Sequence, residues 1–227
     1  LRLTIGDRFI AMDGQHHWWL TQLDINTARI LEPIAVSTEL PLPITVLTAL
    51  PKGNLFDDVV RQATELGVST IVPMISDRTL LQPSAQKLER WRRIAQEAAE
   101  QSQRLVIPTL LDPLPFPVAI AHPATTSHRY LCITEHSAPH LLQCLQQDLQ
   151  QVAISHEQST LPGSSPADLA VAIATGPEGG WSDTEIQQAI AAGFQPVSLG
   201  ARILRAVTAP VVALALIAAT LEREHLD

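Results

Sequence analysis

From Ile44 onward, short apolar runs alternate with longer stretches in which apolar residues recur every three or four positions. The runs are typical of buried strands, and the wider spacing is typical of helices with one buried face. Strands that alternate with helices predict an α/β fold with a mainly parallel sheet. The predicted strands are Ile44–Leu50, Ser69–Ile75, Val106–Leu111, Arg129–Thr134, Leu169–Thr175 and Gln195–Leu199. The predicted helices are Asn54–Leu66, a long helix that Ser84 caps, Ala138–Leu149, Ser182–Ala192 and a last helix from Pro210.

Residues at the predicted helix ends support these assignments. Gly67 and Gly193 follow two of the helices, where glycine commonly ends a helix. Ser182 and Glu185 have the spacing of a capping box, in which each side chain accepts a backbone N–H at the helix start. We expect the first helix to bury one face, formed by Leu55, Val59, Ala63 and Leu66.

The chain before Ile44 has a different pattern, with short alternating segments and turn residues. Asp13-Gly14 is a strong hairpin signal, and the two prolines of Glu39–Pro43 indicate a stiff linker. We therefore predict a small β domain over residues 1–41 and an α/β domain over residues 42–227. The predicted strands of the small domain are Leu1–Asp7, Arg8–Met12, Trp18–Leu20 and Ala28–Leu31. Ser155–Asp168, rich in Ser, Pro and Gly, is predicted to be a surface loop.

Composition and charge narrow the possible functions. The 227 residues are 46% hydrophobic and only 17% charged, so the chain can build a large core. The net charge of −8 argues against nonspecific binding of nucleic acid. Eight of the fifteen cations nevertheless lie between Lys52 and Arg104, which leaves room for a local patch that contacts phosphate.

Cysteine usage and hydropathy indicate a cytoplasmic protein. Cys132 and Cys144 do not have the spacing of a redox motif and are too few for a disulfide framework. The longest apolar run, Ala206–Leu221, is short for a membrane span and contains Pro210. We expect a buried or interface helix there, and no membrane partner.

The histidine spacing offers one candidate metal site, and we do not favour it. His136 and His140 stand four residues apart and would share a helix face. A zinc protease motif needs glutamate after the first histidine, and Ser137 stands there instead. We expect no metal.

Two segments at predicted strand ends are candidates for chemistry. Thr175–Gly180 (TGPEGG) lies between an apolar strand and a capped helix, where glycines let a ligand approach the backbone. The same residues could form an ordinary tight turn. Ser198–Arg205 (SLGARILR) ends in two arginines that suit phosphate or an electron-rich base, or that are simply solvated. Neither a GxGxxG nor a P-loop pattern is present, so the usual dinucleotide and nucleotide sites lose support.

Basic residues on the first two helices are weaker candidates for RNA contacts. A predicted strand ends just before Lys52-Gly53, and Arg61 lies on the helix that follows. The second helix carries Arg90, Arg92 and Arg93. Glutamates interleave with the arginines, which is typical of a solvated helix face. Both interpretations stay open from the residues alone.

The order of the motifs carries a family resemblance that the single motifs do not. From about Leu50 to Ala219 the chain resembles the ribosomal RNA small subunit methyltransferase E family of the SPOUT superfamily. GPEGG followed by LGxRILR at this spacing is specific. The collinear segments are KGNLFDDVVRQATELGV, RTLL, KLERWRRIAQEAAEQSQR, TGPEGGWSDTEI, AAGFQPVSLGARILR and TAP.

The resemblance implies a fold, a cofactor and partners. The α/β domain would be a SPOUT-type parallel sheet with a C-terminal trefoil knot, and the first domain a PUA-like β-barrel whose first strands are missing from this numbering. The enzyme would use S-adenosyl-L-methionine (SAM) to methylate N3 of a uridine in 16S ribosomal RNA of the small subunit. It would be a homodimer, with the last helix, Pro210–Leu221, at the interface.

The resemblance also implies site residues. The cofactor would contact Ile133, Thr134, Glu135, Thr175, Gly176, Pro177, Gly179, Gly180, Leu199, Gly200, Ile203 and Leu204. Catalysis would rest on Arg205, which would stabilise the uracil oxygens or orient the base, and on Glu178, which would orient the base or hold its loop. RNA would contact Lys52, Arg61, Arg93, Arg104 and Arg202.

One departure from the family pattern keeps a second function open. The family usually has threonine and glutamate where this chain has Ala206 and Val207, so any polar contact from those positions is lost. The alternative is therefore a non-catalytic knotted protein that binds SAM and RNA. The acidic total charge would also fit a small-ligand-binding regulatory dimer. Thr208 remains and could cap the last helix.

Overall fold

The computed structural model places the chain in two sheets. A three-stranded antiparallel sheet has the order β1-β2-β3, and the larger sheet has seven strands. The described residues are 3–14, 17–35, 38–79, 82–122, 128–135, 137–148 and 170–223. The strands of the small sheet are β1 (Arg8–Met12), β2 (Trp18–Leu23) and β3 (Ala28–Ile34).

The larger sheet is parallel throughout and confirms the predicted α/β class. Its order is β10-β8-β9-β4-β5-β6, and the short β7 pairs with β5. Its strands are β4 (Ile44–Ala49), β5 (Thr70–Ile75), β6 (Thr109–Leu110), β7 (Leu114–Pro115), β8 (His128–Cys132), β9 (Val171–Thr175) and β10 (Gln195–Val197). The helices are α1 (Phe56–Glu65), α2 (Ala85–Gln101), α3 (Phe116–Ala121), α4 (described over 141–148), α5 (Asp183–Ala191) and α6 (Thr208–Arg223).

Helices cover both faces of this sheet because its strands are apolar on both sides. In β4, Ile44 and Val46 face one core, while Leu47 and Ala49 face the other. The first core also contains residues of α1, α2, α4 and α6, and the second contains residues of α3 and α5. Continuous burial of this kind explains why the strands appear in the sequence as unbroken apolar runs. None of the helices in the described segments combines the length and hydrophobicity needed to cross a bilayer.

The structure corrects several predicted elements. Leu55 was expected on the buried face of α1 but is 45% exposed, because α1 begins at Phe56, which takes the inward position instead. The last helix starts at Thr208, two residues before Pro210, which then lies within the first turn. The strand predicted at Val106–Leu111 shrinks to two residues, and α3 had no predicted counterpart. The predicted loop Ser155–Asp168 lies outside the described residues.

The segment between the two sheets is fixed by a buried ion pair. Arg104 is 4% exposed, and its guanidinium binds the Glu39 carboxylate and the carbonyl oxygens of Thr64 and Val68. Glu39 also accepts the backbone N–H of Leu105 at 2.9 Å. Because its donors are used inside the protein, Arg104 is not available to RNA, contrary to the expectation from the sequence.

Candidate functional site

The carboxyl ends of β8, β9 and β10 form one edge, because these strands are neighbours and parallel. The segments that follow them enclose a pocket of about 290 Å³. Open α/β sheets bind ligands at this edge. The lining residues are Arg78, Cys132, Ile133, Thr134, Glu135, Gly176, Pro177, Gly179, Gly180, Trp181, Asp183, Ile186, Leu199, Gly200, Ala201, Arg202, Ile203, Leu204, Ala206 and Ala209.

Trp181 joins two of these segments. Its indole N–H donates to the carbonyl oxygen of Cys132 at 2.9 Å, and its ring centroid lies 5.3 Å from that of Phe116. A Cβ added to Gly176 would lie 3.1 Å from the indole, so the backbone and the ring are in close contact. Any side chain at position 176 would therefore need the Trp181 ring to shift.

The start of α5 holds the glycine segment from the other side. Ser182 and Glu185 form the predicted capping box, with both of its hydrogen bonds present. The Glu185 side chain is 2% exposed, and its second oxygen accepts the backbone N–H of Asp77 at 2.9 Å. The Ser182 hydroxyl in turn donates to Asp77 at 2.7 Å. The turn after β5 is thereby joined to the glycine segment.

The segment after β10 is held mainly through its backbone. Ser198 donates its N–H to the Pro139 carbonyl at 2.8 Å and accepts the N–H of Leu141 at 2.9 Å. Gly200 has φ +114°, a conformation that only glycine adopts readily. The Arg205 carbonyl accepts the N–H of Thr208 at 2.9 Å, which leads directly into α6.

The structure brings together almost all residues expected to contact the cofactor. Eleven of the twelve line the pocket. The twelfth, Thr175, is fully buried, and its hydroxyl lies 3.1 Å from that of Thr48. Thr175 therefore does not line the pocket, and its hydroxyl instead connects the end of β9 to β4.

The two expected catalytic residues lie next to the pocket and are not among its lining residues. Glu178 accepts the backbone N–H of Lys52 at 3.1 Å, which connects the glycine segment to the turn after β4. Arg205 is exposed and stands between Leu204 and Ala206, which both line the pocket.

The remaining cations expected to contact RNA are exposed but occupy different places. Arg202 lines the pocket, and Lys52 lies at the carboxyl end of β4, on the same side of the sheet. Arg61 on α1 pairs with Asp58 at 2.7 Å. Arg93 on α2 is exposed, and no partner is found for it among the described residues.

Sequence reasoning missed Arg78, Trp181 and Asp183 as pocket residues. Arg78 follows β5, so the rule that functional residues follow the carboxyl ends of parallel strands could have found it. Trp181 and Asp183 directly follow the glycines, where a bulky ring and a helix-start carboxylate are not specific signals.

The pocket is suited to binding a polar ligand of mixed charge. Burial raises the pKa of the Cys132 thiol to about 12, so this sulfur stays protonated and is a poor nucleophile. The other ionisable lining groups are the carboxylates of Glu135 and Asp183 and the guanidinium groups of Arg78 and Arg202. The described residues can therefore position a ligand through backbone groups and through these charged side chains.

Comparison with known proteins finds related sequences. Residues 38–218 match the family described as an RNA methyltransferase domain. The chain is 48% identical, over 98% of its length and 69% of the relative's, to a ribosomal RNA small subunit methyltransferase E from a Synechocystis species. It is 30% identical to the protein of that name from Bacillus subtilis, with coverages of 96% and 83%.

A solved structure shows the same arrangement of the chain. The crystal structure of a ribosomal RNA small subunit methyltransferase E from Neisseria gonorrhoeae, bound to S-adenosyl methionine, is similar with a TM-score of 0.78 at 29% identity. The match covers 96% of this chain and 84% of that chain. It therefore extends over nearly the whole of the present chain.

Proposed function

Because the chain belongs to the ribosomal RNA small subunit methyltransferase E family, we propose that it methylates N3 of a uridine in 16S ribosomal RNA with SAM as the methyl donor. The observation that carries this proposal is the pocket formed by the three segments after β8, β9 and β10. These segments contain eleven of the twelve residues expected to contact the cofactor. A protein of this activity would work in ribosome biogenesis in the cytoplasm.

The pocket residues fit SAM. Its volume of about 290 Å³ is near the lower end of the range for small-ligand sites, roughly 300–1,000 Å³. At Gly176 a side chain would press on the Trp181 ring, and Gly200 has a conformation that side chains disfavour, so glycines keep both walls open. The carboxylates of Glu135 and Asp183 suit a ligand that carries positive charge. When bound, SAM supplies a methyl group activated by its sulfonium.

The chain's own residues would then position and activate the uridine. N3 of uracil carries a proton and is a poor nucleophile at neutral pH, so the site must favour the anion that forms when this proton leaves. Arg205, exposed beside the pocket, is our candidate for stabilising the uracil oxygens. Glu178 is a positioning residue, since its hydrogen bond to Lys52 fixes the glycine segment.

A non-catalytic protein that binds SAM and RNA is the second candidate, because of Ala206 and Val207. Ala206 is 5% exposed and lines the pocket without a polar group. Val207 packs against the core on the α1 side of the sheet. Neither residue can accept the N3 proton, so catalysis would depend on Arg205 and on a proton acceptor elsewhere in the site.

The test is methyl transfer from labelled SAM to small-subunit particles from cells that lack the native modification. We expect 3-methyluridine as the product nucleoside. Absence of transfer with SAM still bound would favour the non-catalytic candidate. In that case the variant Ala206→Thr/Val207→Glu shows whether these two positions are the cause, because it restores the family's residues.

Substitution of Gly176 tests the cofactor site. Gly176→Ala should weaken SAM binding by about tenfold if the cost of overpacking, roughly 1–3 kcal/mol, falls on the SAM-bound pocket that Trp181 lines, since every 1.4 kcal/mol is tenfold. The added methyl group would press on the Trp181 ring, which its hydrogen bond and Phe116 hold in place. Isothermal titration calorimetry measures the effect.

The control is Gly176→Ala in a protein that has a smaller ring at position 181. In a Trp181→Phe background, Gly176→Ala should lose much less affinity than in the wild type. Equal losses in both backgrounds would mean that contact with the indole is not the cause.

We further propose a homodimer with α6 at the interface. One face of α6 is buried in the core through Ala213, Leu214 and Ile217. The opposite face carries only apolar or neutral residues as far as Leu221, including exposed Ala215 and Ala219. A mass near that of one 24.7 kDa chain in light scattering would contradict the dimer.

The finer features of the fold belong to the same proposal. The three-stranded sheet would be part of a PUA-like barrel in an RNA-binding domain, residues 1–41, and residues 42–227 would form the SPOUT methyltransferase domain with its trefoil knot. The path of the last segment supports the knot. This segment leaves the edge strand β10, and its Ser198 forms backbone hydrogen bonds with Pro139 and Leu141. It then continues into α6, which contacts β9. Threaded chains are rare, so this would be an exception to the usual rule.

A further inference from the structure

Arg78 reaches the pocket from a part of the chain that the cofactor segments do not include. Among the described lining residues, all others follow or end strands β8 to β10, whereas Arg78 follows β5. Strand β5 is separated from β9 by β4. Arg78 can reach the pocket mouth only because the turn after β5 extends toward the segment after β9.

The turn that carries Arg78 is rigidly attached to the cofactor side. The Ser76 N–H donates to the Thr79 hydroxyl at 3.1 Å, which closes the turn. The Asp77 N–H donates to buried Glu185 at 2.9 Å, and Asp77 accepts from Ser182 at 2.7 Å. Arg78 is therefore presented from a fixed backbone, which lowers the entropy lost when its side chain binds a ligand.

The side chain of Arg78 packs against the glycine segment. Its Nη1 donates to the Gly179 carbonyl, and a Cβ on Gly179 would lie 3.0 Å from Arg78 Cδ. A guanidinium has five N–H donors, of which this bond uses one. Among the described residues, no carboxylate lies within ion-pair distance of Arg78, and the residue is exposed.

The free donors of Arg78 suit an anion better than they suit SAM. SAM carries a sulfonium and an ammonium against one carboxylate, so its net charge is positive. An exposed arginine at the pocket mouth would repel that charge but attract a polyanion. A planar fork of N–H groups matches the oxygens of a phosphate, which it can bind through two hydrogen bonds.

We propose that Arg78 binds a backbone phosphate of the RNA strand beside the target uridine, while its bond to Gly179 holds the side chain at the pocket mouth. This inference rests on the proposed function. Arg78 is a binding residue in this role. A structural role would be confined to holding Gly179 in place.

The test compares SAM affinity with RNA affinity. Arg78→Ala should raise the KM for small-subunit particles about tenfold, because it removes a charge-assisted hydrogen bond to a phosphate. The Kd for SAM, measured by calorimetry, should change by less than about threefold. The plot of log affinity for the particles against log salt concentration should become less steep, by the amount that corresponds to about one phosphate contact. Arg78→Lys should keep most of the salt dependence, because it keeps the charge.

The matched control is Arg92→Ala, which removes an arginine whose partners are Glu89 and Asp112 on the protein itself. It should leave KM and the salt slope unchanged.

One result for Arg78→Ala would overturn the proposal: a higher Kd for SAM together with an unchanged salt slope. Arg78 would then belong to the cofactor segment. If the wild-type protein binds the particles without methyl transfer, the proposed function fails while the salt slopes still decide on Arg78. If it does not bind the particles even at low salt, both fail.

Discussion

Arg205→Ala should lower kcat for methyl transfer by about 10²–10³-fold, the usual loss when one donor to a developing anion is removed. The residue stands between two lining residues, Leu204 and Ala206, and its side chain is exposed. No carboxylate partner competes for its guanidinium among the described residues. It is therefore free to stabilise negative charge on the uracil oxygens as the N3 proton leaves.

The affinity for SAM should stay nearly constant in Arg205→Ala. Arg205 supports the start of α6 through its main-chain carbonyl, which accepts the N–H groups of Thr208 and Ala209 and is kept by alanine. Calorimetry and single-turnover kinetics on the same preparation separate binding from chemistry.

The pH dependence distinguishes anion stabilisation from simple packing. If Arg205 favours the N3 anion, raising the pH should recover part of the lost rate, because hydroxide removes the proton without the arginine. Arg205→Lys, which keeps the charge without the planar fork, should fall between wild type and alanine. A loss that is independent of pH, or an unchanged kcat, would contradict the assigned role.

Arg104→Ala should destabilise the folded protein by about 3–5 kcal/mol, the typical cost of leaving one partner of a buried ion pair unpaired. Its guanidinium is 4% exposed and binds Glu39 and the carbonyls of Thr64 and Val68. Removal leaves the Glu39 carboxylate without its cation and the Val68 carbonyl oxygen without its donor, while the Thr64 carbonyl keeps the Gly67 N–H. Chemical denaturation monitored by tryptophan fluorescence gives the free energy of unfolding.

Arg92→Ala is the matched control, since Arg92 is also ion-paired but 44% exposed. Exposed pairs typically contribute only about 0–1 kcal/mol, so the control should lose little stability. Equal losses in the two variants would show that burial of Arg104 is not what makes it important. Under native conditions, Arg104→Ala should leave the salt slope of RNA binding unchanged, because the wild-type side chain cannot reach a phosphate.

Much of the fold could be predicted because its strands are buried on both faces. Ile44–Leu50 and Leu169–Thr175 are unbroken apolar runs, and strands were found within both. Ser182, Glu185 and Gly193 marked the ends of α5 through local hydrogen bonds and backbone conformation, which depend only on neighbouring residues. The start of α1 was misplaced because Leu55 and Phe56 are both apolar, and only packing decides which one faces the core.

The pocket was partly predictable for a related reason. Parallel strands bring their carboxyl ends to one edge, so glycine-rich segments after predicted strands were sound candidates. The strand order was not predictable, because β10, β8 and β9 are neighbours only through pairings between distant residues. Without that order, the place of Arg78 at the pocket mouth could not be seen.

The sequence by itself determined the α/β class, most helix ends and two of the segments that line the pocket, Thr175–Gly180 and Ser198–Arg205, because these depend on periodicity and local backbone chemistry. Only the tertiary structure decided which charges are available. Arg104 and Arg78 are both arginines near element ends, yet one is buried against Glu39 and the other lies exposed over Gly179. Burial and pairing are set by residues far apart in the chain, and no local pattern records them.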